Sequence, residues 1–285
     1  MFKFKRALLI ALIFSLFCML GDIQVANSQG LMVTSKAVKG NIPADPRSPA
    51  WDKVEGITIP MSSQIIANPR AFALPKGKSS VRQVAVKSLN NGKEIAFLLE
   101  WDDMTENSIV DNTSTYRDAA ALNFPVSDSE KDIPYFGMGH GGNDDPHTVN
   151  IWQWKADLEA GRDRVVPLGA SYPGEGLKYS IDWYQGQIYN LPPKEKQRKG
   201  PVEDLNATGF GTLTLQDSQD IMGKGVWSGG KWRVIFYRPM VTKDKDDTQF
   251  KKGTTKHVAF AIWDGSNLEK DGQKSISTWH ELKVE

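Results

Sequence analysis

Residues 81–101 read VRQVAVKSLNNGKEIAFLLEW, and this stretch indicates how the chain folds. Residues 81–89 are rich in valine, with Val84 and Val86 two positions apart, and apolar residues return in 93–101, which is typical of strands in a partly buried sheet. Between them lie Asn90, Asn91 and Gly92, residue types that tolerate the positive φ angles of a tight turn. The stretch therefore predicts a β-hairpin.

Similar patterns recur along the rest of the chain. Further strands are predicted at 149–154, 211–215, 225–237, 257–263 and 275–284, with a hairpin turn at 228–230. Short strands separated by Gly- and Asn-containing turns are typical of a sandwich or barrel. We predict an all-β protein, a β-sandwich with long loops, in which helix is limited to a turn or two at 116–122 and 155–160.

Two long segments, 127–146 and 170–202, are rich in Gly, Pro, Asp and Lys and are expected to be irregular. Loops of that length are uncommon in a compact domain unless they shape a site or contact a partner. No repeat or low-complexity tract divides the chain. Residues 29–285 are therefore predicted to form a single domain.

The N-terminus has the pattern of a secretory signal peptide. Three basic residues precede an apolar run at 7–20, and Ala26 and Ser28 occupy the −3 and −1 positions of a cleavage site. The run is shorter than the roughly 20 residues that a bilayer requires. We predict that 1–28 are cleaved and that the protein is exported to the periplasm or an equivalent compartment without a membrane span. An uncleaved anchor is the alternative.

Composition excludes several classes of function. The formal net charge of +1 gives no reason to expect nucleic acid or an anionic membrane as partner. The only cysteine, Cys18, lies within the apolar run, so the mature protein would have no disulfide, no thiolate metal site and no thioether-bound haem. The nine tryptophans are core or binding-surface material.

The usual catalytic motifs are also missing from the sequence. None of the four histidines belongs to an H-E-x-x-H motif, and no G-x-S-x-G elbow, P-loop or dinucleotide fingerprint occurs. His140 and His147 flank Asp144 and Asp145, which leaves a structural metal site open beside the more common solvated loop. Hydrolysis is poorly supported, and no catalytic residue is predicted.

Met138 stands between two glycines, just downstream of Phe136. Most methionines fill gaps in a core. A thioether on a glycine-flanked loop over an apolar pocket is also a way to present a soft axial ligand to haem iron. The residues alone leave both interpretations open.

Four ordered blocks of the sequence resemble one known family. These blocks are 97–103 with 117–125 (FLLEWDD and RDAAALNFP), 136–139 (FGMG), 149–157 (VNIWQWKAD), and 258–265 with 272–277 (VAFAIWDG and GQKSIS). They resemble the haem b subunits of type II dimethyl-sulfoxide-reductase-family molybdoenzymes, which are the γ subunits of ethylbenzene and dimethylsulfide dehydrogenases, selenate and chlorate reductases and nitrite oxidoreductase relatives. The resemblance runs from about Trp51 to the C-terminus.

This resemblance implies one non-covalent haem b held by a methionine and a lysine on a β-sandwich. By position the ligands are Met138 and Lys274, with Lys256 as the alternative lysine. Candidates for the pocket wall, each of which could equally be core, are Phe136, Trp152, Trp154 and Trp263. The implied partners are a molybdopterin subunit, an iron–sulfur subunit and a soluble cytochrome. A second hypothesis from another class is an exported carbohydrate-binding module without haem.

Overall fold

Strands β4 (Gln83–Asn90) and β5 (Glu94–Asp102) form the predicted hairpin in a computed structural model of the chain. The two strands pair antiparallel from Ala85↔Glu100 to Asn90↔Ile95. At the turn, Asn91 Oδ1 accepts hydrogen bonds from the backbone N–H groups of Lys93 and Glu94, and Gly92 has a φ of +80°. The predicted turn chemistry is confirmed, since Asx side chains and glycine stabilise such turns locally.

The structure describes residues 31–64, 77–110, 115–127, 133–134, 147–160, 165–167, 178–181, 188–190, 199–209 and 212–285. The other strands are β1 (Val33–Ala37), β2 (Ile57–Pro60), β3 (Ser62–Ser63), β6 (Ala119–Pro125), β7 (Val149–Lys155), β8 (Val165–Pro167), β9 (Lys178–Ile181), β10 (Ile188–Asn190), β11 (Val202–Ala207), β12 (Thr214–Leu215), β13 (Met222–Trp227), β14 (Lys231–Pro239), β15 (Thr255–Trp263), β16 (Ser275–Ile276) and β17 (His280–Val284). Among the described residues, helix is limited to α1 (Ala156–Glu159) and two short 3₁₀ turns, Trp51–Lys53 and Gly265–Asn267.

The strands form one continuous path that folds back on itself. Its order is β12-β11-β7-β6-β15-β17-β1-β4-β5-β14-β13, and β8 to β10 form a separate antiparallel sheet. The path changes layer within β15, which pairs with β17 through Thr255–Val258 and with β6 through Ala259–Trp263. The all-β sandwich predicted from the sequence is confirmed.

The core between the two layers is rich in aromatic rings. Phe97 on β5 meets Trp152 on β7 at 5.9 Å between ring centroids, and Trp101 meets Trp154 at 6.4 Å. These strands lie far apart on the path, so the contacts join the two layers. Edge-to-face aromatic pairs at such distances add to the apolar burial that stabilises the sandwich.

The helix predicted at 116–122 is wrong, because β6 begins at Ala119. Three consecutive alanines favour helix by intrinsic propensity. Here Leu122 and Phe124 point into the core while Ala119 and Ala121 pack on the opposite face, and this period of two requires a strand. The short helix predicted at 155–160 is confirmed as α1.

Two other expectations need correction. The segment 170–202 is not wholly irregular, since β9 and β10 lie within it and pair with each other. The strand predicted at 275–284 is split into β16 and β17. Leu31–Glu285 forms one compact unit, whereas the predicted signal peptide at 1–28 lies outside the described residues.

A buried polar network lies at one end of the sandwich core. Arg238 is 0% exposed, and its Nη1 lies 2.5 Å from Asp247 Oδ2. Its guanidinium also packs against the rings of Trp152 and Phe250, 4.9 and 5.6 Å from the centroids. Asp204 lies near this pair, and burial, followed by repulsion from Asp247, raises the pKa of Asp204 to about 8.

Asp204 should make the folding stability fall as the pH rises. Its pKa is raised on folding, so its contribution is fully present below about pH 4 and is lost as the pH rises towards 8. We expect Asp204→Asn to remove a slope of up to about 1.4 kcal/mol per pH unit. Urea unfolding at several values between pH 5 and 8.5 would measure it. The exposed Asp246→Asn is the control, and equal slopes in both variants would contradict the assignment.

Candidate functional site

One face of the sheet formed by β15, β6, β7 and β11 carries an apolar cluster that is separate from the sandwich core. Side chains on a strand alternate between faces. On β15, Phe260 and Ile262 point into the core, whereas Ala261 and Trp263 point to the other face. We call this second cluster the outer patch. It consists of Ala119, Ala121, Val149, Ile151, Leu205, Ala207 and Trp263, with Leu213, Leu215, Ala261 and Trp279 packed against them.

The centre of the outer patch is made of small side chains. Ala261 on β15 lies opposite Ala121 on β6, and Trp263 lies opposite Ala119. Alanine projects only a methyl group from the sheet, so these positions form a low, flat floor beside the bulky Trp263 indole. Such a floor suits a planar apolar group better than a branched one.

Lys274 reaches the edge of this patch. Its ammonium nitrogen lies 4.8 Å from the centroid of the Trp263 ring and donates a 3.0 Å hydrogen bond to the carbonyl of Asp271. Trp263 Nε1 donates to the same carbonyl at 3.0 Å, so one backbone oxygen holds both side chains. The residue is partly buried, its amino group is desolvated, and burial lowers the pKa of Lys274 to about 8.

The backbone around Lys274 is held in an unusual conformation. Leu268 and Asp271 adopt positive φ angles of 60° and 52°, which L-residues other than glycine rarely adopt. The Lys274 carbonyl accepts a hydrogen bond from the Gln64 N–H at 3.0 Å, and β16, which starts at the next residue, pairs with β15. The C-terminal end of loop 264–274 is therefore fixed.

The alternative lysine, Lys256, lies on the other side of the sheet. It occupies an even-numbered position on β15, in phase with Val258 and Phe260, which face the core. The side chain is buried, with 8% exposed, and burial lowers its pKa. Of the two candidates, Lys274 is the one that contacts Trp263.

Comparison with known proteins places the chain in a family. The family model described as "Ethylbenzene dehydrogenase" matches residues 48–275, which include every strand of the outer patch and Lys274. The chain belongs to the ethylbenzene dehydrogenase family. The family resemblance seen in the sequence is thereby confirmed.

Two relatives of this ethylbenzene dehydrogenase family member share only low sequence identity with it. It is 24% identical over 248 residues to "Chlorate reductase subunit gamma" of Ideonella dechloratans, covering 87% of this chain and 82% of that one. It is 26% identical over 238 residues to "Putative respiratory nitrate reductase heme subunit ORF7" of Haloferax mediterranei, covering 84% and 67%. A family 9 carbohydrate binding module from Caldicellulosiruptor kristjanssonii aligns with a TM-score of 0.43 and 10% identity, covering 90% of this chain and 96% of that one.

Two of the predicted haem contacts, Met138 and Phe136, lie outside the described residues. The nearest described residue upstream is Pro134, whose carbonyl accepts a 2.7 Å hydrogen bond from Trp279 Nε1. Trp279 packs against the outer patch, so Pro134 lies on this side of the sheet. Downstream, β7 begins with Val149 in the same patch.

Trp152 and Trp154 belong to the sandwich core rather than to the outer patch. Both are fully buried, and their closest ring partners are Phe124 at 4.7 Å and Trp232 at 4.8 Å. Among the described aromatic candidates, Trp152, Trp154 and Trp263, the structure brings only Trp263 to Lys274. For the two β7 tryptophans the structure supports the core interpretation that the sequence left open.

The sequence did not single out Trp279 or the alanines of the patch floor. Their role depends on which alanines lie opposite each other on neighbouring strands, and this register follows from pairing that no local pattern specifies. In the ranges that the structure describes, no helix has the length and apolar character needed to cross a bilayer.

Proposed function

We propose that this chain is the electron-transfer subunit of an oxidoreductase complex and binds one non-covalent haem b on the outer patch, with Met138 and Lys274 as axial ligands. The contact of the Lys274 amine with Trp263 at the edge of the alanine floor carries this proposal. It brings together a nitrogen donor, a large aromatic wall and a flat apolar surface.

The state of Lys274 suits a metal ligand. Only the neutral amine has a lone pair for iron, so binding must displace a proton. Burial disfavours the ammonium form and thus lowers the cost of that proton loss. A fully solvated lysine would have to lose its proton from a pKa near 10.4.

The position of Met138 along the chain is compatible with the same site. Pro134 is held at Trp279, and four extended residues span at most about 14 Å. Met138 is therefore tethered within that distance of the Pro134 Cα, close to a residue that packs on the patch. Its thioether is a soft donor of the kind found opposite nitrogen ligands in cytochromes.

A haem held by Met138 and Lys274 would supply one-electron transfer. The side chains of the patch would bind the macrocycle, exclude water from it and hold the amine in place. No residue in this arrangement is required to do acid, base or nucleophilic chemistry. The substrate would be chosen elsewhere in the complex.

The partners follow from the names of the relatives. A protein named as a γ subunit of chlorate reductase and one named as a heme subunit of a nitrate reductase each belong to larger enzymes. We infer that this chain assembles with a molybdopterin subunit and an iron–sulfur subunit. It would exchange electrons with a soluble cytochrome in the periplasm or an equivalent compartment, after removal of 1–28.

Absorption spectra of the full chain, produced with haem supply, test the proposal. We expect a six-coordinate low-spin spectrum before and after reduction with dithionite, one haem per chain, and haem that acidified solvent extracts completely. Complete extraction separates non-covalent haem b from a covalent haem. A preparation that stays colourless with added haem would contradict the proposal. A rise in melting temperature with oligosaccharides would then favour the carbohydrate-binding alternative.

A further inference from the structure

Three buried carboxylates meet where the ends of three strands converge. Asp103 follows β5, Asp118 precedes β6 and Asp264 follows β15. Their exposed fractions are 6%, 0% and 8%, and one carboxylate oxygen from each lies within 4.8 Å of the others. No lysine or arginine in the described part of the chain forms an ion pair with them.

We propose that Asp103, Asp118 and Asp264 form a Ca²⁺ site. Three carboxylates buried without a cationic partner repel one another, and burying unpaired charge is expensive. A divalent cation between them would remove both costs at once. The proposal does not depend on haem binding.

An unpartnered oxygen points to a missing ligand at this place. Asp103 Oδ1 accepts hydrogen bonds from the N–H and hydroxyl of Thr105. Its other oxygen, Oδ2, is buried and has no hydrogen-bond partner. Buried polar atoms almost always have a partner, so a lone carboxylate oxygen beside two further carboxylates needs an explanation.

The hydrogen bonds to Asp118 orient its carboxylate as an acceptor. Oδ1 accepts from the Gly265 N–H at 2.8 Å, and Oδ2 accepts from the Asn107 N–H at 2.7 Å and from Trp232 Nε1 at 3.0 Å. All three neighbours are donors, and donors favour the ionised form. These donors fix the Asp118 carboxylate, which has an oxygen within 4.8 Å of carboxylate oxygens of Asp103 and Asp264.

Gly265 allows this close packing. A Cβ on Gly265 would lie 2.2 Å from the carbonyl oxygen of Tyr116, so only glycine lets the segment after β15 approach the segment before β6. This approach brings the Gly265 N–H to Asp118 and places Asp264 in the cluster. Asp264 also caps the following 3₁₀ turn by accepting from the Asn267 N–H.

The donor set favours calcium over magnesium. Ca²⁺ binds six to eight oxygens at about 2.3–2.6 Å in flexible geometry, so oxygens around one ion lie at most about 5 Å apart. The 4.8 Å limit on the carboxylate oxygens agrees with this span. Mg²⁺ usually keeps several waters, and the three buried carboxylates leave little room for them.

A cation in this site would fix the start of loop 264–274. The loop carries Lys274 and also Asp271, whose backbone carbonyl accepts the hydrogen bond from Trp263 Nε1. A cation on Asp264 would limit the motion of this loop at its first residue. This last consequence rests on the proposed function, because it concerns the positioning of a haem ligand.

Calcium titration of the chelator-treated full chain tests the site. We expect about one Ca²⁺ per chain by elemental analysis, and a melting temperature raised by about 5–10 °C at a free Ca²⁺ concentration 100 times Kd. Mg²⁺ should act only at much higher concentration. Tb³⁺, used as a calcium probe, should show luminescence excited through Trp232, whose Nε1 lies 3.0 Å from an Asp118 oxygen.

Asp103→Asn gives the decisive comparison, with Asp102→Asn as the matched control. Asp102 is the preceding residue, and its side chain is exposed and paired with Lys231. We expect Asp103→Asn to weaken Ca²⁺ binding at least about tenfold and to be more stable than wild type in chelator, because it removes one repelling charge. Asp102→Asn should behave like wild type.

Absence of both bound Ca²⁺ and a Ca²⁺-dependent melting temperature in the wild-type chain would overturn the site in favour of a protonated cluster. Equal Ca²⁺ binding by Asp103→Asn and wild type would overturn it as well. If Asp103→Asn does not fold, the wild-type titrations with Ca²⁺, Mg²⁺ and Tb³⁺ decide. None of these readouts needs haem, so the result is independent of the haem proposal.

Discussion

Replacing Lys274 by alanine is expected to weaken haem binding by at least about 100-fold and to convert the remaining haem from low-spin to high-spin. Loss of a residue that only supports a metal ligand typically costs about 10- to 100-fold in affinity, and loss of the ligand itself should cost more. The alanine side chain would leave one axial position of the iron open to water. Haem titration followed by absorption spectroscopy would measure both effects.

Lys270→Ala is the matched control for this experiment. Lys270 lies in the same loop and also packs on an aromatic ring, with its amine 4.7 Å from the centroid of Tyr116 and 3.0 Å from the Tyr116 hydroxyl. Tyr116 is not part of the outer patch. Lys270→Ala should therefore keep the wild-type spectrum, although it removes an equivalent contact from the loop.

Two further variants separate the possible ligand sets. Met138→Ala should produce the same loss of the low-spin spectrum as Lys274→Ala if both residues bind the iron, and the exposed Met104→Ala should not. Lys256→Ala should at most lower the free energy of unfolding and should keep the low-spin spectrum. The Lys256 side chain lies on the core face of the sheet, opposite the outer patch. Loss of the low-spin spectrum in Lys256→Ala, with Lys274→Ala unaffected, would show that the assignment is reversed.

The parts of the fold that depend on local chemistry could be predicted from the sequence. The hairpin at Asn91-Gly92 forms where expected because the Asn91 side chain and the conformation of Gly92 stabilise the turn without help from distant residues. The helix predicted at 116–122 is wrong because the alanines of β6 favour helix only locally. Packing against Trp152 and Phe97 overrides that preference.

The site could be predicted only in part, for a physical reason. Alternation along β7 shows that Trp152 and Trp154 share a face, but it cannot tell which face becomes the core. That depends on the second layer, which supplies Phe97 and Trp101. Lys274 could be named through the family resemblance alone. Its contact with Trp263 requires positive φ angles at Leu268 and Asp271, which nothing in those residue types predicts.

Non-local clusters are the least predictable features. Asp103, Asp118 and Asp264 lie in three separate segments, and they meet only because β5 and β15 end, and β6 begins, at the same place in the sandwich. The pair Arg238 and Asp247 is close in sequence, yet its burial depends on Trp152 and Phe250 from other strands and loops. In both cases tertiary packing determines the electrostatics.

Arg238→Met is expected to lower the free energy of unfolding by about 3–5 kcal/mol, because it leaves buried carboxylates without their cation. Asp247 would lose its 2.5 Å ion pair, and Asp204 would lose the charge that offsets repulsion between the two acids. The Thr248 carbonyl would also lose a donor. Methionine fills most of the same volume against Trp152, so the loss would come mainly from charge. Urea unfolding at pH 7 would measure it.

Arg233, an arginine on the same strand, is the control that separates the effect of burial from the effect of charge. Arg233 on β14 pairs with Glu100 at 3.1 Å, but its side chain is 24% exposed, so Arg233→Met should cost only about 1 kcal/mol. Adding Asp247→Asn to Arg238→Met removes the stranded charge and should recover a large part of the loss. If the double variant is no more stable than Arg238→Met, then lost packing against Trp152 and Phe250 is the cause, and the buried charge pair is not what stabilises this end of the core.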